Sequence, residues 1–168
     1  MSQLGSEGQI QKLVSKSIRS SNNGDIRLAV SLLDEAIQIA ESKGVPDFGL
    51  RIHREIIASG KPPDLSRAIP VYEWAISYFA RQGNRLQQIH YMIQRAATTW
   101  GALGNTELAL EYLDETQAMI SSCTEEELTQ TSAFFPSHDP ETIKNVLISY
   151  MMQVERLRKQ FGSANRSR

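Results

Sequence analysis

The chain has 168 residues, the length of one ordinary domain, and 40% of them are hydrophobic, which is enough for a buried core. It contains no uninterrupted apolar run of about 18 residues, so we expect no membrane-spanning segment. Its 18 Lys and Arg residues against 19 Asp and Glu residues give a net charge of −1. This balance removes any whole-protein electrostatic case for binding nucleic acid or an acidic membrane surface.

The first quarter of the chain predicts two helices. Ser6 and Gln9 have the spacing of a capping box and therefore predict the start of the first helix. Asp25 is the expected N-cap of the second helix, which runs to Lys43 and ends at Gly44. Apolar residues recur at the three- and four-residue spacing of one helical face. They are Ile10, Leu13, Val14 and Ile18 in the first helix, and Ile26, Ala29, Val30, Leu33, Ala36, Ile37 and Ala40 in the second.

Two further helices are predicted in the second quarter. Asp47 is the expected cap of the first, which ends near Gly60, before a connector made by two prolines. The next helix is predicted over about residues 66–81, and a start as late as Ile69 stays open because Pro70 fits only near the first turn. The apolar faces consist of Phe48, Ile52, Ile56 and Ile57, and of Val71, Trp74, Ala75, Tyr78 and Phe79.

Four helices are predicted in the second half. The first ends at Gly104, and Asn105 caps the next. Thr124 and Glu127 form a second capping box for a short helix that Pro136 bounds. Asp139 caps a last helix that begins with Pro140, ends at Gly162 and leaves residues 163–168 as an expected disordered tail. The apolar faces include Leu86, Ile89, Ile93, Ala96, Ala97, Trp100 and Leu103; then Leu108, Ala109, Tyr112, Leu113 and Ile120; and finally Ile143, Val146, Leu147, Tyr150, Met151, Val154, Leu157 and Phe161. We also assign Met119 and Met152 to the core. Eight helices and no convincing strand predict an all-α fold.

Three stretches of the chain share one spacing of small and large residues. In the two clearest, a Gly between helices is followed five residues later by Ala, four further by a large apolar residue and three further by a small one. These positions are Gly24, Ala29, Leu33 and Ala36 in one copy, Gly104, Ala109, Leu113 and Thr116 in another, and Ala68, Tyr72 and Ala75 in a weaker middle copy. The three alanines are 39 and 41 residues apart. Helix pairs that repeat about every 40 residues predict an α-solenoid.

This register resembles the tetratricopeptide repeat, most clearly in the third copy, at Ala97, Trp100, Leu103, Gly104, Ala109, Tyr112 and Leu113. Over residues 10–122 the resemblance implies three antiparallel helix pairs, at about 10–44, 47–83 and 84–122, with capping helices at 124–162 in a single domain. The repeats exceed the usual length of about 34 residues. In this they are similar to the extended repeats of kinesin light chains and of Leu-Gly-Asn-type polarity adaptors, and other extended helical-hairpin arrays stay open.

The resemblance implies a protein-interaction module, an adaptor or scaffold that holds a partner segment in a concave groove lined by the first helix of every pair. The positions that register places in this groove are Gln11, Ser15, Ile18, His53, Arg54, Ile57, Tyr91, Gln94, Arg95 and Thr98. Arg54 and Arg95 are the only firm charges among them, so we expect an acidic or amphipathic partner segment. A secretion-type chaperone or a regulatory subunit with the same fold stays open. A nucleic-acid-associated protein that uses the basic C-terminal helix is a further alternative.

Residues with catalytic or ligand-binding chemistry are sparse. His53, His90 and His138 are scattered, and there is no GxGxxG, P-loop or nucleophile-elbow motif. We therefore expect no enzymatic activity, no metal and no cofactor. Cys123 is the only cysteine, which excludes an internal disulfide and suits a reducing compartment. The N-terminal stretch MSQLGSEGQI lacks the features of a secretory signal, so we expect a cytoplasmic protein.

Charge is distributed unevenly along the chain. Residues 96–143 contain nine Asp and Glu side chains and no Lys or Arg, whereas residues 144–168 contain six Lys and Arg side chains and one Glu. Such runs are usually solvated helix faces. The alternatives are that the basic last helix packs near the acidic segment, or that one of the two patches steers a partner.

Overall fold

The computed structural model describes residues 3–164, with side chains described for residues 5–163. Within that range the chain forms eight α-helices and one short 3₁₀ helix, without a β-strand, so the all-α prediction is confirmed. The helices are α1 (Gln3–Asn22), α2 (Ile26–Ser42), α3 (Phe48–Ala58), the 3₁₀ helix (Leu65–Ala68), α4 (Ile69–Gln82), α5 (Arg85–Leu103), α6 (Thr106–Ser121), α7 (Glu125–Ser132) and α8 (Pro140–Ala164). No helix among these residues is long and apolar enough to cross a bilayer.

The chain divides into two compact units, Met1–Val71 and Tyr72–Arg168. In the first unit, α1 packs against α2, and α2 packs against α3. In the second unit, α5 packs against α6, and α8 packs against α5, α6 and α7. The division of the sequence into three repeats and a cap stays a prediction.

Four of the six capping residues predicted from the sequence make their expected hydrogen bonds. Asp25, Asn105 and Asp139 each accept a hydrogen bond from the backbone N–H three residues further along, at 3.1, 3.1 and 2.8 Å. Thr124 and Glu127 form the predicted reciprocal capping box at α7. Each bond satisfies a backbone donor that the first turn of a helix leaves without an internal partner.

Three predicted helix ends need correction. Ser6 is not an N-cap, because α1 begins at Gln3 and already contains it. Asp47 precedes α3 but makes no capping hydrogen bond, since both of its carboxylate oxygens accept from Nε of Arg51 at 2.9 Å. Helix α8 continues past Gly162 to Ala164, and residues 165–168 of the predicted tail lie outside the described part of the chain.

The register of small and large residues corresponds to buried positions in all three stretches. Ala29, Ala68 and Ala109 have no exposed surface. The large and small residues that follow these alanines in the register are also buried: Leu33, Ala36, Tyr72, Ala75, Leu113 and Thr116. Small buried residues let helix axes approach closely, and the large residues beside them fill the space between the helices.

Several residues that were assigned to apolar helix faces lie at the surface instead. Trp74 is 45% exposed because the buried face of α4 is formed by Val71, Tyr72, Ala75 and Phe79. Leu103, the last residue of α5, is 53% exposed. Met152 is 67% exposed, since α8 buries a different face, so its assignment to the core is wrong.

The inner face of α8 completes the core of the second unit. Its buried residues are Ile143, Leu147, Val154 and Phe161. The ring of Phe161 stacks on that of Trp100 in α5, with centroids 4.7 Å apart and planes 22° apart. Arg158 of α8 forms an ion pair with Asp114 and donates a hydrogen bond to Gln117, both in α6. The basic last helix therefore packs near the acidic segment. This was one of the two alternatives to the interpretation that both charged runs are solvated helix faces.

Candidate protein-interaction surfaces

The predicted groove residues on α1 lie on its solvent-facing side. Gln11, Ser15 and Ile18 are exposed, and the Ser15 hydroxyl donates to the carbonyl of Gln11 at 2.9 Å. The adjacent Ser17 is fully buried and donates to the carbonyl of Ala29 in α2 at 2.8 Å. This bond fixes the side of α1 that faces α2, and it leaves Ile18 on the accessible side.

The predicted groove residues on α3 are arranged around an arginine that already has partners. His53 is exposed, while Arg54 and Ile57 are half-buried. The Arg54 guanidinium donates to Asp34 of α2 at 2.7 Å and to the neighbouring Glu55 at 2.8 Å. The hydrogen bond to Asp34 is the main reason why the pKa of Arg54 rises above its ordinary value. An acidic ligand would therefore compete with carboxylates of the protein itself.

Arg95 of α5 is held in a similar way within the second unit. Its guanidinium donates to Glu115 of α6 at 2.8 Å and lies 3.7 Å above the ring centroid of Tyr112. The Arg95 side chain is only 12% exposed. A cation stacked on an aromatic ring and paired with a carboxylate is more firmly placed than a free surface arginine. Its first role is therefore to join α5 to α6.

The other predicted residues of α5 are half-buried, and they are Tyr91, Gln94 and Thr98. The Tyr91 ring lies parallel to that of Phe79, with centroids 5.8 Å apart. Burial raises the pKa of the Tyr91 hydroxyl. Six of the ten predicted groove residues lie in the first unit and four in the second. That all ten line one groove stays a prediction.

An apolar groove that the sequence reasoning did not identify runs beside α8. It has a volume of about 310 Å³ and lies between α8, the end of α6 and the start of α7. The apolar residues that line it are Ile120, Leu128, Leu147, Ile148, Met151 and Met152. Ser121, Cys123, Glu125 and Lys144 complete the lining. Ile148 is 53% exposed.

The outer face of α8, opposite its buried residues, continues from this groove. It consists of the exposed residues Glu141, Asn145, Ile148, Met152, Glu155 and Lys159. A second depression of about 570 Å³ borders the same face and is lined in part by Met152, Glu155 and Lys159. Met152 thus contributes to both depressions. The alternating four- and three-residue spacing of these six positions is the sequence pattern that could have identified this outer face.

Two observations concern the titratable side chains in the part of the chain that the structure describes. No three of its His, Cys, Asp and Glu side chains lie close enough together to hold a metal ion. Burial, with a smaller contribution from Glu127, raises the pKa of Cys123, so that its side chain stays a thiol at neutral pH.

Comparison with protein-family models, curated proteins and solved structures finds no match for this chain. The likeness to the tetratricopeptide repeat therefore rests on the residues named above.

Proposed function

We propose that the chain is a protein-interaction module, an adaptor or scaffold that binds a segment of another polypeptide chain. The apolar groove beside α8 is the observation that carries this proposal. Ile148 and Met152 are more than half exposed there, next to the buried side chain of Leu147. Contiguous apolar surface on a water-exposed helix is typical of a docking site, because covering it releases water from that surface.

The shape and composition of the groove favour a helical segment as its ligand. The groove is lined by residues of α8 from Lys144 to Met152, and methionine side chains, which adapt to many shapes, form part of its wall. An amphipathic helix can insert apolar side chains spaced by three or four residues into such a groove. This mode of recognition requires no reacting group, and apolar contact supplies most of the affinity.

The predicted groove residues, which lie on the first helix of each predicted pair, provide a second proposed surface. The burial of the nine alanine, large and small positions that follow the glycines supports the tetratricopeptide-like arrangement of three helix pairs and a C-terminal cap that we propose as the architecture. In that arrangement Gln11, Ser15, Ile18 and His53 are open to a ligand. Because Arg54 and its counterpart in α5 already have carboxylate partners, we propose that polar and apolar contacts, rather than acidic ones, dominate there.

A chaperone or a regulatory subunit would use the same surfaces, and the identity of the partner distinguishes these roles. We place the module in the cytoplasm, since a single cysteine suits a reducing compartment. Nucleic-acid binding through α8 is less well supported, because Arg158 is committed to Asp114 and Glu155 lies on the exposed side of the same helix.

The proposal is tested by capturing partners on the tagged chain and identifying them by mass spectrometry. We expect the double substitution Ile148→Ser and Met152→Ser to reduce the amount of a specific partner by about tenfold, a loss typical of residues at the centre of an interface. Leu103→Ser is the matched control, because Leu103 is equally exposed in the same unit but does not line the groove. Capture of the same partners in the same amounts by all three proteins would contradict a role for the groove.

A second variant tests the tail. Truncation after Phe161 removes the last two arginines and keeps the buried Phe161 ring, so we expect capture to be unchanged. If the truncation abolishes capture while the groove variant retains it, binding resides in the basic tail, and the nucleic-acid or acidic-surface alternative replaces this proposal.

A further inference from the structure

The outer face of α8 carries a charge pattern that complements itself when the helix is turned end to end. We propose that two copies of the chain associate by packing this face against its own copy, with the two α8 helices antiparallel. The inference rests on the proposed function, because it names the chain that covers the apolar side chains of α8. It goes beyond that function by specifying a twofold interface and its register.

The spacing of the exposed residues is that of a helix–helix seam. Alternating steps of four and three residues keep a row of side chains on one side of a helix that packs against a second one. The row comprises Glu141, Asn145, Ile148, Met152, Glu155 and Lys159, all exposed. The buried row of α8 occupies other positions, so pairing through the outer face leaves the core of the unit unchanged.

The apolar residues set the centre of the interface. With the twofold axis midway between Ile148 and Met152, Ile148 of one copy lies opposite Met152 of the other, and Met152 of the first lies opposite Ile148 of the second. Glu141 and Lys159 are each nine residues from that midpoint, or about 13 Å along the axis at the helical rise per residue. Glu141 of one copy therefore meets Lys159 of the other, and symmetry forms this pair twice.

A second pair of opposite charges falls in register on one flank. At about 100° of rotation per residue, Lys144 and Glu155 lie on the same side of the seam, and Arg156 lies on the other side with Asn145. The twofold axis places the same flank of both helices on the same side of the interface. Lys144 of one copy therefore meets Glu155 of the other, and Arg156 of one copy meets Asn145 of the other. Among the side chains that the structure describes, neither Lys144 nor Glu155 has an ion-pair partner within its own chain.

Other occupants fit this pattern less well. Two parallel copies would place Glu141 against Glu141 and Lys159 against Lys159, which is a repulsive arrangement. A uniformly acidic or uniformly basic partner helix would meet a like charge at either Glu155 or Lys144. Only a partner with the reversed order of charges satisfies both ends of the face, and the antiparallel copy supplies that order.

The test is sedimentation of the full chain over concentrations from about 1 to about 300 µM, the range in which a small interface associates. We expect a reversible monomer–dimer equilibrium. Glu141→Lys and Lys159→Glu each create two like-charge contacts, so each should weaken dimerisation by about tenfold. The double variant restores opposite charges and should recover the parental affinity, and a mixture of the two single variants should form heterodimers. Glu111→Lys, an exposed reversal on α6, is the matched control and should leave dimerisation unchanged.

The outcomes separate this inference from the function on which it rests. A chain that stays monomeric throughout the concentration range overturns self-association, and the proposed function still stands if the Ile148→Ser, Met152→Ser variant loses a captured partner. If that variant also captures everything the parent does, the groove beside α8 has no role in partner binding either, and only the second proposed surface stands. A dimer that neither charge reversal weakens overturns the α8 register. Circular dichroism of each variant should match the parent, because the substituted side chains are exposed.

Discussion

Removal of the Phe161 ring is expected to destabilise the second unit strongly, although Phe161 lies almost at the end of the described chain. The side chain has no exposed surface and stacks on Trp100 with a centroid distance of 4.7 Å. Replacing a buried phenylalanine by alanine typically costs about 3–5 kcal/mol, of which the aromatic pairing contributes about 0.5–1.5 kcal/mol. Phe161→Leu keeps most of the buried volume and should cost about 1–2 kcal/mol. A loss of 3–5 kcal/mol is a large part of the total stability of a domain.

The assay for this prediction is urea unfolding followed by tryptophan fluorescence. The chain has two tryptophans, and replacing the exposed Trp74 by phenylalanine leaves Trp100 as the only reporter, next to the site of substitution. Met152→Ala, at an exposed position on the same helix, should change the free energy of unfolding by less than about 0.5 kcal/mol. If Phe161→Ala unfolds at the same urea concentration as the parent, the last turns of α8 do not pack against α5, and the reasoning is refuted.

Three further perturbations have expected outcomes that urea unfolding or thiol chemistry can measure. Gly83→Ala and Gly104→Ala should cost about the same, because both glycines have a positive φ, worth about 1–2 kcal/mol to an L-residue, and the new Cβ at Gly83 would meet only the movable end of the exposed Gln130 side chain. Gln130→Ala should therefore leave the cost of Gly83→Ala unchanged, and a clear reduction of that cost would show that the Gln130 side chain does not move aside. Hydrogen bonds from Arg85 and from the Thr124 backbone lower the pKa of Glu127 in the folded chain. Ionised Glu127 therefore contributes to the free energy of unfolding above the ordinary glutamate pKa, and this contribution is lost as the pH falls through the folded-state pKa. The difference in stability between the parent and Glu127→Gln should therefore disappear below about pH 4. The raised pKa of Cys123 predicts slower reaction with a disulfide reagent at pH 8 in the folded chain than in the urea-unfolded chain, and equal rates would exclude the burial that raises it.

Helix boundaries were predictable wherever a cap depends only on neighbouring residues. Asp25 and Asn105 were identified because an N-cap side chain bonds a backbone amide three residues away, within reach of the sequence pattern. The same kind of pattern failed at Ser6, because the spacing of a capping box does not reveal whether a helix has already begun upstream. Helix α1 starts three residues earlier, and Ser6 lies inside it.

The choice of the buried face was harder where apolar residues surround a helix. In α4, Trp74 and Tyr78 lie on one side, and Tyr72 and Phe79 on another, so periodicity alone allows two faces. The structure buries Tyr72 and Phe79. The spacing of the small residues had already indicated this solution, since Ala75 marks the position where another helix can come close.

The helix positions of the predicted groove residues could be derived from the sequence. Whether their charged groups are free to bind a ligand could not. Register placed Arg54 and Arg95 on first helices, and both are indeed accessible in part. Each donates a hydrogen bond to a carboxylate on a neighbouring helix, Arg54 to Asp34 of α2 and Arg95 to Glu115 of α6, in both cases 20 residues away in sequence. That separation is far beyond the three- or four-residue contacts that a sequence pattern can reveal. Their charges therefore contribute first to joining helices.

In helix α8 the sequence pattern predicted a capping helix but did not reveal the exposed apolar residues on its outer face. Its inner row is apolar at Ile143, Leu147 and Phe161, and this strong periodicity alone predicts a helix that closes the core. A helix with only that role would carry polar residues on its outer row, yet Ile148 and Met152 are there, between opposite charges at the two ends. Keeping these side chains in water is unfavourable by the same hydration free energy that buries the inner row. The two rows can therefore be perturbed separately: Phe161→Ala should lower stability at any protein concentration, whereas Glu141→Lys should act only where copies of the chain meet.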